Sequence, residues 1–123
     1  MNGENILQVK TFEFAISIVN VYKKMLHEDK EYALSRQVLK SGTSVGAMMR
    51  EAEHAESRND FIHKMMIAQK EINEIIYWLD LLFKSDYLKE EVYNDLSQNA
   101  KSIMLLITKS ISTAKNNQNR QKQ

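Results

Sequence analysis

Cysteine and proline are both absent from the 123 residues, and glycine occurs only three times. Without cysteine there is no disulfide, no thiolate nucleophile and no thiolate metal site. Without proline, and with so little glycine, the chain lacks the turn chemistry that a sheet protein needs about every ten residues. A dominant charge is missing too. Seventeen basic and sixteen acidic residues leave a formal net charge of +1, so no global field draws in nucleic acid or an anionic membrane, and any such binding must use a local patch. No apolar run approaches the roughly 20 residues that span a bilayer. No hydrophobic segment follows a basic N-terminal stretch in the manner of a secretory signal, so a cytoplasmic protein is expected.

What is present is helical periodicity. At 43% hydrophobic and 27% charged residues the chain reads as one all-α domain, residues 1–114, with helices over about 4–27, 34–56, 58–84 and 89–114. In the first helix, Val9, Phe12, Ile16, Val19 and Leu26 form one stripe, widened by Leu7, Phe14, Ile18, Val21 and Met25. Lys10, Glu13, Ser17, Asn20 and Lys24 form the opposing polar stripe. The second helix repeats Leu34, Val38, Ser41, Val45, Met48, Ala52 and Ala55 in steps of four and three. Ser57 caps the third, with Asp60 placed to favour its exposed amides. There Phe61, Met65, Ala68, Ile72, Ile75, Leu79 and Leu82 make an a/d seam until Ser85 and Asp86 break it. The fourth turns Val92, Leu96, Ala100, Ile103, Ile107 and Ile111 inward, and residues 115–123 are expected to form a disordered polar tail. Short linkers between long helices predict an up-down-up-down antiparallel four-helix bundle.

Three features stand out from the core pattern. Gly42 and Gly46, four apart on one flank of the second helix, are expected to let another helix come close, since a mid-helix glycine otherwise costs about 0.5–1 kcal/mol against alanine. The back of the third helix carries Ile67, Tyr77 and Trp78 beside Lys70, Glu71 and Glu74. Either a neighbouring helix covers Trp78 or this stripe is an interface between subunits, and the interface is the expectation. Finally, Arg36, Lys40, Thr43, Ala47, Arg50 and His54 fall within roughly 40° of one line opposite the apolar stripe of the second helix. That ridge is either a solvated face or a row of phosphate contacts from Arg36, Lys40 and Arg50. Few aromatics interleave with it, which disfavours base stacking.

Catalytic signatures are weaker. Glu51 and His54, and Asp60 and His63, place a carboxylate and an imidazole one turn apart, the local spacing of di-metal bundles. The other two helices lack the inward glutamates that complete such a site, so no metal or other cofactor is expected. Ser41 and Ser44 have no sequence signature of an activated nucleophile.

The ordered run from Arg36 to Ala47, then Arg50-Glu51-Ala52, Ser57, Asp60-Phe61-Ile62-His63-Lys64, Ile67-Ala68, Lys70-Glu71 and Tyr77-Trp78-Leu79, resembles a bacterial four-helix-bundle family. That family is named for open reading frames in intervening sequences of large-subunit ribosomal RNA genes. The resemblance implies a ring-like homopentamer without established enzymatic activity. The chain is similar also to accessory proteins of diversity-generating retroelements, which implies nucleic acid and a reverse transcriptase or ribonucleoprotein as partners. It departs from the family pattern at Met48, where asparagine is usual, and at Lys40, where arginine is usual. Lys40 keeps the charge and loses the bidentate fork. The function expected is a non-enzymatic oligomeric scaffold that binds RNA or DNA weakly. A helical metalloenzyme and a protein-interaction adaptor are the alternatives.

Overall fold

Helices α1 (Gly3–His27), α2 (Leu34–Glu53), α3 (Arg58–Lys84) and α4 (Glu90–Lys122) make up most of the computed structural model, which describes residues 3–122. Among the described residues there is no strand. Each helix packs on its neighbours in chain order and α1 also meets α4, while the diagonal pairs stay apart, so the four close a ring around one core. The connections, 28–33, 54–57 and 85–89, suit antiparallel neighbours. Lys24, near the end of α1, donates to the Tyr87 carbonyl just before α4 at 3.1 Å, as the alternating directions require.

The boundaries have local causes. Ala33 offers α2 no side-chain cap, and the Glu31 carboxylate takes that role by accepting from the Ser35 amide at 3.0 Å. Ser57 caps α3 by accepting from the Asp60 amide at 3.0 Å, while Asp60 reaches back to the Glu56 amide at 3.1 Å, close to a capping box. At the other end of α3, the Tyr87 amide donates to the Leu82 carbonyl and the Asp86 amide to that of Phe83. Asp86 stands at φ 66°, which makes this a Schellman motif with aspartate where glycine is commoner.

The α3 seam lies in the core, with Met65, Ala68, Ile72, Ile75, Leu79 and Leu82 each at most 1% exposed. Phe61 is only half-buried and Ile62 takes its place at the first turn. In α2, Met49 is buried and Met48 lies on the flank. In α1 the two apolar stripes exchange ranks. Leu7, Thr11, Phe14, Ile18, Val21 and Met25 face inward, whereas Val9, Phe12 and Ile16 are 47%, 56% and 49% exposed. The helix is apolar around too much of its circumference for periodicity to choose. Thr11 also disguised the true stripe, since it is fully buried with its hydroxyl donating to the Leu7 carbonyl at 2.7 Å.

Two helix ends differ from expectation. Helix α2 stops at Glu53, three residues early, because Ser57 and Asp60 organise the backbone of the next helix. Helix α4 continues to Lys122, where a disordered polar tail was expected from residue 115; Gln123 lies outside the described residues. No glycine or proline interrupts the segment, and lysine, glutamine and arginine propagate a helix well. Half-buried Ala114 and Gln118 continue the inward face past Ile111, and the Gln118 amide donates to Asn59 at the start of α3.

Candidate nucleic-acid interface

Helix α2 buries Val38, Ser41, Gly42, Val45, Met49 and Ala52, and the 3.6-residue repeat therefore sends Arg36, Lys40, Ala47, Arg50 and His54 outward. All five are exposed, with Thr43 half-buried among them. From Arg36 to Arg50 the row rises by about 21 Å at roughly 1.5 Å per residue. Among the described residues, no carboxylate oxygen comes within ion-pair distance of Arg36, Lys40 or Arg50. Glu51, the acid nearest in sequence to Arg50, is turned to Lys64 of α3 at 3.6 Å. The hydroxyls of Ser41, Thr43 and Ser44 each donate to the carbonyl one turn back, at 3.0, 2.7 and 2.5 Å, an arrangement that caps helix carbonyls and activates no nucleophile.

The α1–α2 seam brings a further residue to this face. The Arg50 guanidinium stands over the Phe12 ring, 5.8 Å from its centroid, and the two border a surface groove of about 430 Å³ floored by Ala15, Thr43, Gly46 and Ala47. Phe12 was assigned to the inward stripe and so was missed as a surface residue. The inward spacing of Leu7, Phe14, Ile18, Val21 and Met25, regular once Thr11 is counted in it, was the signal that Phe12 belongs outside.

On α3, Ile67 and Trp78 are half-buried on the flank that faces α2, and Trp78 packs against the core with its indole N–H lacking a partner among the described residues. Tyr77 is 59% exposed and meets Trp78 edge-to-face at 5.1 Å. Glu71 lies on the Trp78 flank, half-buried, with one carboxylate oxygen sealed from solvent and without a partner among the described residues. Burial first, and then the neighbouring Glu74, pushes its carboxyl above the usual value, while Lys40 and Lys70 pull the other way. Both histidines of the acid–histidine pairs are exposed, and His54 approaches Glu53 at 3.9 Å. Among the described residues, no three histidine, aspartate or glutamate side chains converge as a metal would require.

Fold and surface together define a small antiparallel four-helix protein with an unpaired basic row on one helix. Residues 4–109 match the family described as 23S rRNA-intervening sequence protein, and the chain belongs to that family. It is similar to a solved Bacteroides thetaiotaomicron protein of unknown function from the S23 ribosomal protein family. The two are 45% identical with a TM-score of 0.88, over 90% of this chain and 99% of that one. No curated protein matches. Among the described residues no helix is long and apolar enough to cross a membrane.

Proposed function

We propose that the protein is a non-catalytic, oligomeric helical scaffold that binds nucleic acid weakly and without sequence preference through Arg36, Lys40 and Arg50. The observation that carries this reading is the row of three exposed cations on one helix face, with no carboxylate at ion-pair distance among the described residues. Point charges spaced along a helix can follow a phosphate backbone and carry no base information. In the same proposal a homopentamer repeats this face around a ring, and a ribonucleoprotein or reverse transcriptase is the partner that uses it.

The test is a salt titration of binding to mixed-sequence single-stranded RNA and to duplex DNA, for the parent and for the double variant Arg36→Glu, Lys40→Glu. One subunit offers at most about three phosphate contacts, so the log-log salt slope on duplex is about −3 at roughly −0.9 per contact, and steeper where several subunits engage one strand. The double variant weakens all sequences by about the same factor, because phosphate contacts do not read bases. A parent that binds nothing at low salt, or a variant that binds as well, removes this function and leaves a protein-interaction adaptor.

A further inference from the structure

We infer that the polyanion taken by α2 is single-stranded nucleic acid, one of whose bases stacks on Phe12 in the groove between α1 and α2. This rests on the reading of Arg36, Lys40 and Arg50 as phosphate contacts and adds a base contact to them.

The sequence disfavoured stacking because few aromatic residues interleave with the ridge along α2. The aromatic arrives from α1 instead. Phe12 is 56% exposed beside Arg50, the last cation of the row, whose guanidinium lies 5.8 Å from the ring centroid. An arginine over an aromatic ring is a stable cation–π pair, and together they present the flat apolar and cationic surface on which unpaired bases stack. Below it, Ala15, Thr43, Gly46 and Ala47 are small enough to leave a groove of about 430 Å³. Glu51 borders that groove, but its carboxylate is engaged by Lys64, so the local charge facing a ligand is that of Arg50. Bases in a duplex are already stacked on each other and present no free face, whereas a single strand can turn one base inward while its phosphates follow Lys40 and Arg36. Charge along the rim and an open aromatic ring within it suit this occupant.

The test compares three probes of equal phosphate number: an oligothymidine strand, a strand of the same backbone without bases, and duplex DNA. Parent, Phe12→Leu and Phe12→Tyr are titrated with each, and light scattering follows their mass. The parent binds oligothymidine most tightly. Phe12→Leu weakens that affinity about tenfold, equal to about 1.4 kcal/mol and within the range of one stacked base. Its salt slope, its affinity for the baseless strand and duplex, and its mass are unchanged, and Phe12→Tyr restores the loss. The inference is overturned if the parent does not prefer oligothymidine, or if Phe12→Leu binds it within twofold of the parent. It is overturned equally if Phe12→Leu lowers the mass, which would make this face a contact between copies. Salt-dependent binding indifferent to Phe12 removes only the stacked base, while a parent that binds none of the probes removes the phosphate-binding function as well.

Discussion

On its α2 side, helix α1 comes so near that a Cβ placed on Gly42 would stand 2.7 Å from both γ-carbons of Ile18, and one on Gly46 would stand 3.4 Å from the Thr11 carbonyl. On its α4 side the same helix leaves gaps that reach buried side chains, about 170 Å³ by Phe14 and Ile103 and about 560 Å³ by Val21, Leu88 and Leu96, whereas the groove of about 430 Å³ by Phe12 on the α2 side touches no buried residue. The difference lies in what each side of α1 presents. Towards α2 it offers buried Thr11 and Ile18 to residues that have no side chain, so backbones approach. Towards α4 it offers Lys10, Glu13, Ser17 and Lys24, the polar stripe that had been read as simply opposite the core. Polar side chains there keep their hydration or pair locally, as Lys24 does with Asp29 at 3.0 Å, and hold the helices apart.

The largest effect expected is at the tight seam. Gly42→Ala places a methyl against Ile18, whose β-carbon would be 3.1 Å away and is fixed by the α1 backbone, so overpacking costs about 1–3 kcal/mol, of which roughly 1 is recovered as helix propensity. At Gly46 the contacts of 3.4–3.6 Å are ordinary, and Gly46→Ala is neutral or stabilises by up to about 1 kcal/mol. Denaturant unfolding of both variants measures the contrast. Equal effects at the two positions would break the picture of a seam pinched at Gly42.

An intermediate effect is expected at the loose seam. Ser17 is half-buried, borders both gaps and donates only a long 3.3 Å bond to its own helix. Ser17→Leu fills part of that space with apolar volume and raises stability by roughly 0.5–2 kcal/mol. A lower melting temperature would mean that the α1–α4 seam needs its polar character.

The smallest effect concerns the α2–α3 flank, where Glu71 leaves one oxygen without a partner among the described residues. Its carboxyl is held above the usual carboxylate value, chiefly by burial and then by Glu74, against the pull of Lys40 and Lys70. A carboxyl with a raised folded-state pKa binds its proton more tightly folded than unfolded. Its favourable contribution is present at acid pH, below the unfolded value, and is lost as pH rises through the folded one. Glu71→Gln therefore melts higher than the parent near neutral pH, and the gain fades below about pH 4. A gain that is independent of pH would assign the effect to packing alone.

Much of this architecture was legible in residue order. Met65, Ala68, Ile72, Ile75, Leu79 and Leu82 repeat strictly enough that their face of α3 had to enter the core, and the start of α3 was visible in Ser57 and Asp60. The basic row was legible for the same reason, since a helix that buries Val38, Val45, Met49 and Ala52 must turn Arg36, Lys40 and Arg50 outward. Where one helix carries two apolar stripes, periodicity has no means of choosing, and α1 was misread at Val9, Phe12 and Ile16. That choice belongs to the partner helix: Gly42 and Gly46 accept Ile18 and the Thr11 backbone because α1 is rotated to meet them. Only tertiary packing could then bring Phe12 of α1 to Arg50 of α2, since residues so far apart in the chain meet through the approach of two helices and not through any local repeat.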